Sequence, residues 1–117
     1  MTTMQKISLD ALVLHHLDTA RAASSGRSAT TVHGGHELVL RQTLIALRAG
    51  SSLAEHDSPG EATIHVLHGR VRLSAGNDSW DGRRGDLLIV PAAAHSLHAL
   101  EDATVLLTVA KAAGVAK

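Results

Sequence analysis

The chain has 117 residues, balances 11 basic against 11 acidic side chains, lacks cysteine, and has Trp80 as its single Phe, Tyr or Trp. A neutral chain with one such aromatic residue is poorly suited to binding nucleic acid, and the lack of cysteine excludes disulfides, thiolate metal sites and cysteine nucleophiles. No signal-peptide pattern and no apolar stretch of membrane-spanning length occurs, so we expect a cytoplasmic protein with no nucleic-acid partner and no membrane partner. The length suits one domain with a single core.

The first part of the chain predicts one amphipathic helix over Ser8–Ala23. Ser8 can cap its N-terminus, and the run Ser24-Ser25-Gly26 ends it. An apolar stripe at helical spacing consists of Leu9, Leu12, Val13, His16, Leu17 and Ala20. We assign residues 1–26 to this helix and its linker, and expect the helix to cover one face of the following domain or to pack on a partner subunit.

Residues 27–111 have the pattern of a β-domain, and we expect residues 112–117 to form a frayed tail. The segment 44–47 is apolar at every position, which indicates that both of its faces are covered. Gly50–Pro59 is predicted to be a loop. The strand candidates are Arg27–His33, Glu37–Arg48, Glu61–Leu67, Arg70–Ala75, Ser79–Gly82, Asp86–Val90, His95–Leu100 and Thr104–Ala110. About eight short strands separated by turn residues indicate an antiparallel sandwich or barrel.

The apolar strand Thr104–Ala110 would promote aggregation if it were exposed. We expect this strand, the segment 44–47 or the helix to be covered by a second subunit, and we therefore predict a homodimer. Trp80 is interpreted as a packing residue of a sheet face or of that interface, rather than as a platform for a ligand.

Two stretches of the chain match a known pattern. In Gly50–Gly69, GSSLAEHDSPGEATIHVLHG, the residues Gly50, His56 and Gly69 have the spacing of the first cupin motif, which is Gly, five residues, His-x-His, three residues, Glu, six residues, Gly. Gly85–His95 is similar to the second motif, which is Gly, five residues, Pro and a short loop to His. The chain thus resembles the cupin superfamily, in particular small single-domain bacterial cupins. The resemblance implies an all-β fold, a double-stranded β-helix or jelly-roll barrel, here with one N-terminal α-helix.

The resemblance also implies where a metal would bind. A typical cupin site uses three histidines and one glutamate around a divalent ion such as zinc, iron, manganese or nickel. This chain keeps His56 and His95 and has Ser58 and Ala62 at the two other positions. The metal site is therefore predicted to be weak and degenerate, with His56 and His95 as its ligands, and no cofactor is assigned with certainty.

Strand alternation supplies no replacement ligand. Ala62 and Ile64 share one face of their strand, so Glu61 and His65 point to the other face. His98 has the opposite parity to the motif histidine on the same strand. A third ligand would have to come from elsewhere in the molecule.

Three functions remain open. The loss of two ligand positions favours a non-catalytic or weakly catalytic protein that binds a small molecule in an apolar pocket lined by His56, Ser58, Ala62, Ile64 and His95. The two retained histidines favour a metal-dependent enzyme of dioxygenase or isomerase type, although no catalytic residue can be named. An accessory protein that acts through a dimer surface is the third. No Gly-x-Ser-x-Gly elbow, phosphate loop or HExxH motif occurs.

Overall fold

The computed structural model describes residues 4–57 and 60–111, with the backbone alone at His56. These residues form one helix and nine strands: α1 Leu9–Ala22, β1 Arg27–His33, β2 Leu40–Leu47, β3 Ser52–His56, β4 Gly60–His68, β5 Arg70–Ala75, β6 Asp78–Arg83, β7 Leu87–Ile89, β8 His95–Ala99 and β9 Ala103–Lys111. The additional strand is β3, which lies in the stretch predicted to be a loop. Its own sequence is a poor strand former, and pairing with β8 holds it extended.

The strands form two antiparallel sheets that pack face to face. The five-stranded sheet has the order β1-β2-β9-β4-β7, and the four-stranded sheet has the order β3-β8-β5-β6. Alternate residues of both sheets point inward and form the main core, which includes Ile45, Leu47, Ile64, Val66, Val71, Leu73, Leu97 and Val105. This is the all-β, jelly-roll architecture that the motif spacing implied.

The apolar strand β9 lies inside the five-stranded sheet, between β2 and β4. Val105 and Val109 belong to the main core, whereas Leu106 belongs to a second cluster under α1. Leu44 on β2 is buried in the same second cluster. Both strands are therefore covered within one chain, and the argument for a second subunit from these strands was wrong. The homodimer stays a prediction.

The helix α1 packs on the outer face of the five-stranded sheet. Ser8 caps it, since its Oγ accepts a hydrogen bond of 3.2 Å from the backbone N–H of Ala11. The buried stripe predicted from the sequence is observed and contacts β2 and β9 through Val13, Leu17, Ala20, Leu44, Ala46 and Leu106. At the edge of this stripe, His16 Nδ1 lies 2.6 Å from Ser28 Oγ on β1. With 14 residues, α1 is too short to cross a bilayer, and the described ranges contain no other helix.

A polar cluster joins the C-terminal end of α1 to two loops of the barrel. Asp102 Oδ2 accepts a hydrogen bond of 2.7 Å from Arg21 Nε, and its Oδ1 accepts one of 2.8 Å from the backbone N–H of Ala49. Arg48 Nη1 donates to the carbonyl oxygens of Arg21 and Ala23 at 3.1 and 3.0 Å. The hydrogen bond from Arg21, helped by that from Ala49, lowers the pKa of the Asp102 carboxyl group.

Replacing Asp102 with alanine is expected to lower the thermal midpoint at neutral pH by on the order of 4–8 °C, because the backbone N–H of Ala49 and the helix end lose their shared acceptor. Because folding lowers this pKa, the stabilisation is complete above the unfolded value of about 3.9 and is lost as the pH falls through the folded value. The gap between wild type and variant should thus be constant from about pH 5 to 7 and close below about pH 4 in thermal melts. Asp18→Ala is the control, because that exposed carboxylate contacts the same arginine at 3.2 Å and should have almost no effect.

Candidate functional site

Both motif histidines lie at one end of the barrel. His56 is the last residue of β3, after which the chain crosses to the five-stranded sheet and begins β4 at Gly60. The return crossing starts at Val90, whose N–H donates to the carbonyl oxygen of Ala62 at 3.0 Å, and ends at His95, the first residue of β8. Both crossings join the same two sheets, and each lies beside one of the two histidines. His56 and His95 therefore lie at the same end of the barrel, which we call the motif end.

The backbone brings the two predicted histidines together. His56 on β3 is directly opposite His95 on β8, after an irregularity in the register that follows Leu53. Directly opposite residues of an antiparallel pair have Cα atoms about 4.5–5.5 Å apart. The adjacency on which both small-molecule binding and metal binding depend is therefore present in the backbone, whereas the side chain of His56 lies outside the described part of the structure.

The side chain of His95 is 5% exposed and is oriented by its own loop. Its Nδ1 lies 3.0 Å from the carbonyl oxygen of Ala93. A carbonyl oxygen only accepts hydrogen bonds, so Nδ1 is the donor in this contact. The contact orients the ring, and Nε2 is the nitrogen that would ligate a metal.

The other predicted lining residues are placed as strand alternation indicated. Ala62 and Ile64 face the barrel interior and are 8% and 4% exposed. Glu61 is exposed and His65 is half-buried on the opposite face of β4. Ser58 lies outside the described residues.

His98 points away from the barrel interior. It is exposed on the outer face of the four-stranded sheet, where its Nδ1 lies 2.7 Å from Ser52 Oγ. Among the described side chains, which do not include that of His56, no group of three histidines, aspartates or glutamates is close enough to hold a metal ion. The methyl group of Ala62 occupies the position of the family's glutamate ligand. The described side chains therefore do not supply the donor set of a typical cupin metal site.

Burial of the inward-facing side chains decreases towards the motif end. At the far end these side chains are 0–1% exposed, namely Leu47, Val66, Val71, Ala99, Ala103 and Val105. At the motif end Val109 is 3% exposed, Ala62 and Val90 are each 8% exposed, and Arg41 is exposed. Packing is therefore tightest at the far end of the barrel and looser at the motif end.

Arg41 and Thr43 were not recognised from the sequence. The strand β2 pairs with β9 from Leu40 to Leu47 without irregularity, and its residues Ile45 and Leu47 lie in the core between the sheets. Alternation therefore places Thr43 and Arg41 on the same inner face. Alternation along β2 groups its residues by face, but the segment 44–47 is apolar on both faces. The sequence therefore does not show which face of β2 points into the barrel.

Trp80 lies on β6, the edge strand of the four-stranded sheet, opposite the buried residue Leu73. It is 52% exposed, so packing within the chain covers only half of its surface. Trp80 was predicted to pack in a sheet face or in a subunit interface, and within this chain about half of its surface is packed.

A surface pocket of about 230 Å³ lies away from the motif end and is lined by Arg70, Asp81, Gly82, Arg83 and Asp86. Both of its carboxylates have partners in the fold. Asp81 accepts a bidentate pair of hydrogen bonds from Arg72, of 2.7 and 3.1 Å. Asp86 accepts a hydrogen bond of 2.9 Å from the backbone N–H of Arg83. The hydrogen bond with Arg72 lowers the pKa of Asp81. The first contact joins β5 to β6 and the second stabilises the turn between β6 and β7, so both carboxylates have structural roles.

No protein-family model and no curated protein matches this chain. Solved structures do. A cupin superfamily protein from Desulfitobacterium hafniense aligns over 96% of this chain and 95% of its own, with 16% identity and a TM-score of 0.75. An RmlC-like cupin from Desulfovibrio desulfuricans aligns over 72% of this chain and 81% of its own, with 27% identity and a TM-score of 0.63.

The chain has the cupin fold. KdgF from a Halomonas species is a further structural neighbour, with 20% identity, a TM-score of 0.61 and coverage of 74% of this chain and 81% of its own. The neighbour from Desulfitobacterium hafniense extends the match over nearly the whole chain, so the helix belongs to the shared architecture. This chain retains the spacing of Gly50, His56 and Gly69 and differs from the cupin motif at Ser58 and at Ala62, whose methyl group faces the barrel interior.

Proposed function

We propose that this cupin binds a small organic molecule at the motif end and that it is non-catalytic or only weakly catalytic. The observation that carries the proposal is that His56 and His95 are directly opposite one another at the end of the barrel where apolar inward-facing side chains are less tightly packed, since ligand sites are mostly apolar with a few polar groups. Ala62, Ile64 and Val90 supply apolar walls. His95 supplies a polar group whose orientation is set by the carbonyl oxygen of Ala93.

The site extends to residues on the crossing loop. His56 is opposite His95 in the register, and Ser58 follows it in the sequence. We propose that these residues add polar contacts at the mouth of the pocket, so that the ligand is held by few polar groups within an apolar wall.

A metal-dependent enzyme of dioxygenase or isomerase type is the second candidate, and the register of His56 with His95 favours it. Zinc, iron, manganese or nickel would suit two imidazoles. Such an ion would need further ligands from solvent, from the organic molecule or from residues outside those described, because Ala62 offers no donor atom. This requirement is the reason for ranking it second.

Metal content separates the two candidates. For protein purified without a histidine tag, we expect less than stoichiometric zinc, iron, manganese and nickel, in equal amounts in wild type and in a His56→Ala/His95→Ala double variant, measured by inductively coupled plasma mass spectrometry. In a thermal-shift screen against small metabolites, we expect compounds that raise the midpoint of wild type and not that of the double variant.

His98→Ala is the matched control, because this exposed histidine lies on the same strand as His95 and faces away from the barrel. It should behave as wild type in both experiments. Near-stoichiometric metal in wild type and His98→Ala that vanishes in the double variant would favour the metal-dependent enzyme. Stabilising compounds that act equally on wild type and the double variant would contradict a site at the motif end.

A further inference from the structure

We infer that the small molecule bound at the motif end carries an anionic group, a carboxylate or a phosphate, and that Arg41 binds this group. The inference rests on the proposed function and adds the chemical class of the ligand. It starts from an arginine on the inner face of a barrel whose other inward-facing residues are mostly apolar.

A single row of residues crosses the five-stranded sheet at the motif end. Arg41 on β2 is opposite Val109 on β9, and Val109 is opposite Ala62 on β4. Residues directly opposite one another share a sheet face, and neighbouring strands are about 4.8 Å apart, so the Cα atoms of Arg41 and Ala62 are separated by about 10 Å. The arginine side chain is long enough to extend over Val109 towards Ala62.

The charge of Arg41 is not neutralised by the fold. Within residues 4–57 and 60–111 it has no ion pair and no side-chain hydrogen bond, in contrast to Arg21 and Arg72, which contact aspartates at 2.7 Å. The motif position that would place a carboxylate in the same row holds Ala62. Glu61, the adjacent residue on β4, is exposed on the opposite face.

This combination of groups selects for an organic anion. A guanidinium group donates two parallel N–H bonds to a carboxylate or a phosphate, and the neighbouring apolar surface strengthens such contacts by excluding water. Ala62, Val90 and Val109 are 8%, 8% and 3% exposed and provide an apolar surface for the body of the ligand.

The test uses three probes that share one alkyl chain: hexanoate, hexyl phosphate and hexanamide. Binding is followed by titration of the backbone amide resonances of Ala62, Val109 and His95 in two-dimensional NMR spectra. Arg41→Gln removes the charge at an exposed position and should leave the fold intact. The matched control is Arg84→Gln, which removes an exposed arginine from the turn between β6 and β7.

We expect at least one anionic probe to shift these resonances in wild type and in Arg84→Gln. Its affinity should be about tenfold or more above that of hexanamide. In Arg41→Gln the affinity for this probe should fall by about the same factor. Preference for hexanoate or for hexyl phosphate identifies which anion the site takes. Hexanamide that binds as tightly as both anions, with equal affinities in Arg41→Gln, would overturn the assignment of Arg41 and leave the proposed site intact. The absence of any shift at the motif end with all probes would contradict the proposed function itself.

Discussion

Replacing Gly69 with alanine is expected to destabilise the domain by about 3 kcal/mol or more. Gly69 joins β4 to β5 with a φ of 72°, a conformation that costs an alanine about 1–2 kcal/mol. A Cβ at this position would also contact the carbonyl oxygen of Asp102 and lie 2.9 Å from the Cα of Ala103. Both are backbone atoms at the start of the central strand β9, so relief of the contact requires one of the two strands to move.

Gly76→Ala is the matched control, because Gly76 also has a positive φ, 59°, but a Cβ there would meet no atom within 4 Å. It should cost only the conformational part, about 1–2 kcal/mol. Equilibrium unfolding in urea measures both values. Equal losses in the two variants would show that close approach to β9 contributes nothing at Gly69.

The motif contains residues that the fold needs and residues that only the chemistry needs, and the sequence could predict only what the first kind determines. Gly69, the last glycine of the first motif, is needed by the backbone, so the motif spacing survives with the fold even when the ligand positions change. The histidine and glutamate positions of the motif are needed only by the chemistry, and Ser58 and Ala62 could replace them without loss of the barrel. Motif spacing therefore predicted the fold, while the ligand remained unassigned.

Local patterns predicted the elements that local interactions determine. The helix predicted over Ser8–Ala23 is observed as Leu9–Ala22. Two features that depend on distant partners were predicted wrongly. Ser52–His56 was predicted to be a loop and is extended because β8 pairs with it. The strand β9 was predicted, but the barrel core and α1 cover its two faces instead of a second subunit.

In the candidate site, too, one part could be predicted from the sequence and another could not. The spacing of His56 and His95 in their motifs predicted their adjacency, and the register places them opposite one another. Arg41 was missed because its orientation depends on which face of β2 meets the four-stranded sheet. Both faces of that strand are apolar at 44–47, one packing against α1 and the other against the barrel core.

Two leucines in one row of the four-stranded sheet make a second quantitative prediction. Leu73 on the inner strand β5 and Leu53 on the edge strand β3 are both opposite Leu97, and their truncation should cost different amounts. Leu73→Ala is expected to cost about 2–5 kcal/mol, because this side chain is 1% exposed in the main core and the surrounding strands cannot collapse onto the space. Leu53→Ala should cost about 1 kcal/mol, because Leu53 is half-buried and solvent can enter the space left behind.

Urea unfolding at one temperature measures both values, and the slope of the transition should be unchanged in each variant. Comparable losses at the two positions would mean that the edge strand β3 is packed as tightly as the inner strand β5. A small loss at Leu53 beside a large one at Leu73 would show that β3 contributes little to folding. The strand that ends at His56 is then under little constraint from stability, which leaves this side of the motif end available for binding a ligand.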